Sequence, residues 1–345
     1  MIYYILPKTN NILYICPNHT HRELTICVSR TVLTYVNQSK MLFSGIYTEE
    51  ESFDELLQSS NPYEPLFTIT PGIPTISKLN GKSNTLYDLI EIFYTLNILD
   101  NEFQTTLHIT PTYTDAMEQI QFIKERCQCI NSYYTTIEQE FNSRFTVNYD
   151  FLFFEMHKYI STDIFAYTAE LLKYVKIILQ KQTVGGICII KMDSTFYKPT
   201  VDILYLCSSL YEKVYIAKPT TSNSATSERY MVCIDRRSLN ESAIKTNCRI
   251  IDQCIHTNIY SILDSRLPLH FIHKLDDINI IIGQQQIDAI EQIMNACKHK
   301  SRDDKFELSR KSNIQKSISW CEKYKVPHNK IGDKPNIFLP VSEMI

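Results

Sequence analysis

The central third of the chain alternates short continuous apolar runs with longer stretches of helical periodicity. "YDFLFFEM", "GGICIIKM", "KVYIAK" and "RYMVCI" are runs of the length and β-branched or aromatic content of buried strands. Between the first three lie "STDIFAYTAELLKYVKIIL" and "TVDILYLCSSLY", whose apolar residues recur at helical spacing. Ser161 or Thr162 is the expected cap of the first helix and Gly185-Gly186 its expected stop. Residues 150–235 thus read β-α-β-α-β-loop-β. That alternation predicts an α/β fold with a largely parallel sheet and helices on both faces. The last two strands are joined by a loop too short for a crossover helix, so the final strand is expected to be antiparallel.

The flanks carry weaker patterns. "IYYIL", "NILYIC" and "LTICVS" predict two or three short strands, making residues 1–45 a β-rich N-terminal segment. "EEESFDELLQS" and "TLYDLIEIFYTLNIL" predict helices, "TTLHIT" a strand, and "PLFTITPGIPTISKL" a strand entering a Pro-Gly turn. "DAMEQIQFIKERCQCINSYYTTIEQEF" predicts one or two helices. Residues 46–240 then form the α/β domain and 241–345 a mostly helical extension.

Composition narrows the function classes. In 345 residues, 44% are hydrophobic and 21% charged, the balance of a globular protein. A net charge of -3 gives no global attraction to nucleic acid, so any such binding needs a local basic patch. One candidate is the tract from Lys298 to Lys330, which includes Lys298, Lys300, Arg310 and Lys311. Eleven cysteines with no C-x-x-C pair imply free thiols in a reducing compartment, hence a cytoplasmic location. No apolar run of membrane-spanning length occurs, no zinc-like ligand spacing is present, and phosphate-loop and nucleophile-elbow motifs are missing.

Ligands of open α/β sheets bind outside the carboxyl ends of the parallel strands. Glu155 ends "DFLFFE", Lys191 ends "GGICIIK", and Glu228 precedes "RYMVC" in the glycine-free loop "KPTTSNSATSE". An acid, an amine and a second acid are therefore expected at one sheet edge.

The stretch from Gly185 to Cys233 resembles the FtsJ-like 2′-O-ribose methyltransferases, most closely their mRNA cap-1 branch of eukaryotes and large DNA viruses. The family pattern is a Gly-Gly turn, an apolar strand ending in Lys, a helix, a strand, and K-P-x-x-S-R-x-x-S-x-E-x-Y-x-V. Here Lys191, Lys218, Pro219, Ser222, Asn223, Glu228, Tyr230 and Val232 stand in it, with Ser227 one position nearer the Glu than the family's Ser. "YDFLFFEM" is similar to the strand that carries the family's catalytic Asp, which places Glu155 there. The resemblance implies a Rossmann-like sheet and a Lys-Asp-Lys-Glu tetrad of Lys40, Glu155, Lys191 and Glu228, with Lys191 as base. It further implies S-adenosylmethionine at Pro71 and Gly72, and RNA contacts by Lys218 and Ser222. It departs from the family at Ile73 (for the second Gly), Glu155 (for Asp) and Asn223 (for Arg). The expected function is an S-adenosylmethionine-dependent cap 2′-O-ribose methyltransferase of viral type, acting in the host cytoplasm or virion. The alternative is a catalytically degenerate subunit that binds RNA or a capping or polymerase partner.

Overall fold

The computed structural model describes residues 1–19, 24–44, 61–68, 75–79, 81–142, 147–157, 160, 162–298 and 303–329. Seven strands form one mixed sheet: β1 (Ile2–Ile5), β2 (Thr105–Ile109), β3 (Asn131–Tyr134), β4 (Tyr149–Phe154), β5 (Gln182–Met192), β6 (Tyr211–Lys218) and β7 (Arg229–Arg236). Their order is β1-β6-β7-β5-β4-β2-β3. β3, β2, β4 and β5 run parallel, while β7 inserts between β5 and β6 antiparallel to both. The α/β sheet and its antiparallel last strand are those expected.

Both faces are buried, which explains the unbroken apolar runs. Leu152 and Phe154 point into one core, with Cys188 and Ile190. Phe151 and Phe153 point into the other, with Ile187 and Ile189. The first core is covered by α5 (Ile164–Lys181), α6 (Lys198–Leu210), α7 (Glu241–Cys254) and α8 (Leu269–Lys298). The second is covered by α2 (Asn84–Thr95), α3 (Tyr113–Cys127) and α9 (Asp303–Lys323). Each fully buried Phe contributes roughly 2 kcal/mol of burial free energy. Trp320 of α9 and β1 both belong to this one layered body, so the described parts of the N- and C-terminal segments pack on the same sheet.

Several local expectations are corrected. Of the two or three N-terminal strands expected, β1 alone forms among the described residues; Asn18 and Ile26 make isolated bridges, and Arg30–Ser44 is a helix, α1. The long segment from Asp115 holds α3, the short strand β3 and a single-turn-and-a-half α4 (Ile137–Asn142). Asp163, not Ser161 or Thr162, caps α5 by accepting from the Phe165 N–H at 2.9 Å. The Gly-Gly pair does not stop α5. It lies within β5, where the pairing with β4 shifts register between Tyr149 and Phe151, and Gly185 adopts φ +81°, which a side chain resists. Residues 64–66 form a 3₁₀ turn where a strand was expected, and residues 69–74, with the Pro71-Gly72 turn, lie outside the described residues, as does the helix expected near 49–59.

α1 packs against α8 at close range. A Cβ on Gly283 would stand 2.3 Å from Val32 Cγ1, far inside contact distance. Gly283→Ala should therefore destabilise the fold by about 1–3 kcal/mol through overpacking, although Ala favours helix over Gly. The Val32→Ala/Gly283→Ala double variant should recover most of the loss. Urea midpoints of the two single variants and the double variant check this.

Candidate active site

The chain moves outward from β2 to β3 on one side and from β4 to β5 on the other. The strand order therefore reverses between β2 and β4, and the carboxyl ends of these strands are where such sheets bind ligands. A cleft of about 320 Å³ opens there, within the ~300–1,000 Å³ range of small-molecule sites. Its walls include Thr85 of α2, Asp115 of α3, Glu155 after β4, Lys191 of β5, and Glu228 before β7.

Strand register brings the three expected residues together. Phe154 pairs with Ile190, so Glu155 and Lys191 follow side by side on neighbouring strands. The Glu155 N–H continues the ladder to Ile109 O at 2.9 Å. Lys191 in turn pairs with Tyr230, which sets Glu228 just beyond it. The Lys191 ammonium donates to Glu155 Oε1 at 2.8 Å and to Thr85 Oγ1 at 3.1 Å, and stands 3.7 Å from Glu228 Oε1. All three charged side chains are mostly buried, with 11–14% of each exposed. Burial alone would lower the Lys191 pKa; Glu155 and Glu228, with Asp88 further off, outweigh it and hold the amine above the ordinary lysine value. Lys191 is thus protonated in the resting protein.

The loop that carries Glu228 is fixed without glycine. Lys218 is buried, and its amine donates to three backbone carbonyls of the loop: Asn223 at 2.9 Å, Thr226 at 3.1 Å and Glu228 at 2.6 Å. Burial pulls this amine down to about 8, although Glu228 opposes the change. From α2, Glu91 accepts the Thr220 N–H at 3.0 Å and Asp88 accepts the Thr221 hydroxyl. Gln286 of α8 donates to Ala225 O at 3.0 Å. The amine of Lys218 is spent inside the loop and Ser222 is buried, so neither faces solvent as the RNA contact expected of it.

Lys40 is not brought into the Lys191 network. It lies on α1 with its amine 3.4 Å from Ser227 Oγ, and the charges that act on it are Asp193 and Arg229; burial lowers its pKa, with Asp193 opposing. Thr85, Asp88 and Glu91 are the members that the sequence reading missed. They sit on the helical stripe of α2 as ordinary polar positions, and only the fold turns them inward. Of the expected RNA contacts, Lys298 ends α8, Arg310 lies within α9, Lys311 is exposed on α9, and Lys300 lies outside the described residues. Among the described residues no His, Cys, Asp and Glu cluster is placed to hold a metal, and no helix is long and apolar enough to cross a membrane.

The described lining carries Glu64, Asp115, Glu155 and Glu228 against Lys82 and Lys191. Glu155 Oε2 is buried with no hydrogen-bond partner among the described residues. This acid-rich cleft fits a small cationic ligand and repels phosphate. The strand at the reversal point is β2, and Asp115 of the helix that follows it lines the cleft together with Phe67 and Thr68; Pro71 and Gly72 lie outside the described residues.

No protein-family model matches the chain. Over 122 residues, 32% of this chain and 30% of the relative, it is 29% identical to cap-specific mRNA (nucleoside-2′-O-)-methyltransferase 1 of Leishmania braziliensis. Over 50 residues, 14% of each chain, it is 42% identical to the protein of the same name from Trypanosoma cruzi. The likeness to these cap-specific 2′-O-methyltransferases is partial. The chain spans less than a third of the length of these curated relatives. Among solved structures, a ribosomal RNA methyltransferase from Plasmodium falciparum is 17% identical, covering 45% of this chain and 98% of that one with a TM-score of 0.35. Phosphoethanolamine N-methyltransferase 2 of Haemonchus contortus, solved with S-adenosylhomocysteine, is 11% identical over 45% of this chain and 38% of that one, with a TM-score of 0.31.

Removing the Lys218 amine would leave three loop carbonyls without their donor. Lys218→Met should lower stability by about 2 kcal/mol. It should also raise protease cleavage between residues 219 and 228. A urea titration with mass-mapped limited proteolysis reads both.

Proposed function

We propose that this protein is an S-adenosylmethionine-dependent RNA 2′-O-ribose methyltransferase, acting on capped mRNA of the kind made by eukaryotes and large DNA viruses. The observation that carries the reading is the Lys191 ammonium clasped by Glu155 and Glu228 at the carboxyl edge of a parallel sheet. The partial likeness to two cap-specific 2′-O-methyltransferases supports it.

A ribose hydroxyl is a weak nucleophile until its proton is drawn away. Lys191 is the group placed to draw it, and Glu155 and Thr85 aim its amine. The two carboxylates that orient the amine also keep its proton on. Lys191 must therefore lose that proton before it accepts one, and turnover should rise with pH. Asp115, Glu64 and Asn84 are the lining groups that would hold S-adenosylmethionine, which supplies an electrophilic methyl on a sulfonium. The acidic cleft favours that cation.

RNA phosphates need a different surface. Beside the cleft, a second cavity of about 510 Å³ is lined by Tyr63, Thr220, Lys316, Trp320, Lys323 and Tyr324. Its Tyr63 and Thr220 stand next to the pair in which Asn61, which lines the cleft, donates through Nδ2 to Thr221 O at 3.0 Å. We place the RNA backbone along this face of α9, with Lys316 and Lys323 on phosphates.

Methyl incorporation from tritiated S-adenosylmethionine into capped RNA tests the enzyme. Lys191→Ala should abolish it. Lys191→Arg should too, because a guanidinium keeps its proton above pH ~12. Glu155→Asp, one methylene shorter, should lower the rate by relaxing the aim of the amine. Equal incorporation by wild type and Lys191→Ala would remove Lys191 as the base. No incorporation by wild type with RNA binding retained would assign the chain instead to a non-catalytic subunit that holds RNA for a capping or polymerase partner.

The RNA path has its own test. The Lys316→Ala/Lys323→Ala variant should bind single-stranded RNA more weakly at low salt. Its log affinity against log salt should flatten by about 0.7 per lost phosphate contact. An unchanged slope would move the RNA off α9.

A further inference from the structure

The resemblance implies a second lysine in the Lys191 network, yet the charged group that α2 turns toward Lys191 and Glu228 is a carboxyl, Asp88. Asp88 is fully buried. Its carboxyl accepts the hydroxyls of Thr221 and Tyr230, the latter at 2.8 Å, and the amide of Asn84 at 3.3 Å. Tyr230 is the strand partner of Lys191 on β7, so Asp88 reaches the network through the residue beside the amine. The charged groups facing it are Lys191 from β5, Glu228 from the loop before β7, and Lys218 from the end of β6.

Building on the methyltransferase reading, we infer that Asp88 is a switchable charge behind the Lys191 amine. With its proton on, Asp88 leaves Lys191 facing two carboxylates; ionised, it adds a third and holds the ammonium more tightly. Asp88 touches neither substrate nor cofactor in this scheme and acts by positioning charge.

One further fact fits this role. Burial pushes the Asp88 carboxyl up to about 7, with the Thr221 hydroxyl and Lys191 pulling the other way, so its charge changes near neutrality.

The test reads Lys191 itself and needs no methyl transfer, so it stands whether or not the enzyme reading does. Lys191 lines the cleft and is partly exposed, within reach of a small acylating reagent. The protein would be pulse-labelled with acetic anhydride across a pH series, and acetylation at Lys191 quantified by mass spectrometry. In wild type, reactivity should climb less than tenfold per pH unit between about pH 6 and about pH 8, because ionisation of Asp88 holds the ammonium back as pH rises. Asp88→Asn should restore the full slope and raise Lys191 reactivity above about pH 8 by roughly tenfold, equivalent to about one pKa unit. Tyr230→Phe keeps Asp88 but removes a donor to its carboxylate, so Asp88 should hold its proton to higher pH and the shallow segment should move up with it. Circular dichroism confirms that each variant is folded; the wild-type slope and Tyr230→Phe decide the matter if Asp88→Asn is not. A full slope in wild type, or a shallow segment that neither variant moves, would overturn the inference.

Discussion

An ammonium taken out of water must be paired, and the architecture of this protein follows from how that demand is met for Lys191. Leaving such a cation unpaired costs several kcal/mol. No single element supplies the partners. β4 runs on to place Glu155, β7 is preceded by a loop that presents Glu228, and α2 contributes Thr85. Antiparallel insertion of β7 between β5 and β6 is what makes the second carboxylate available, because it brings the start of β7 beside the end of β5. The same pairing explains the cost: two carboxylates that orient an amine also hold its proton, so any chemistry at Lys191 must be poised against its own support.

The loop before β7 shows how a backbone excursion without glycine is made rigid. Lys218 gathers three carbonyls from inside, while α2 fastens the loop from outside through Asp88 and Glu91. Glu91 also accepts from Trp320 Nε1 and Tyr324 OH, each at 3.3 Å. The C-terminal helix α9 is thereby tied to the loop that holds Glu228. Changes at α9 therefore reach the site through one buried carboxylate.

The sheet was legible in the sequence because strands buried on both faces need unbroken apolar runs, and "DFLFFE", "GGICIIK" and "YMVC" are such runs. Glu155, Lys191 and Glu228 were legible for the same reason: a charge that ends an apolar run marks a strand's end. β3 was hidden because Asn131–Tyr134 lies at the sheet edge and has no apolar stripe. α1 was hidden because only Val36, Ser39 and Phe43 of its residues are well buried. "TTLHIT" was legible as a strand and pairs with β4, while most of "PLFTITPG" lies outside the described residues. Asp88 was invisible, since a polar residue on a helix reads as surface until the fold supplies Tyr230 and Thr221 to receive it.

Charge is divided between two neighbouring cavities, and this bears on how a polyanion would meet the site. Among the described residues the cleft lining has four carboxylates against two lysines, while the adjoining cavity presents Lys316 and Lys323, with Glu91 buried behind Trp320 and Tyr324. Fields of this kind repel phosphates from the first and attract them to the second. A nucleic acid strand held on α9 would thus enter the cleft only with its uncharged sugar, at the place where the Lys191 amine stands.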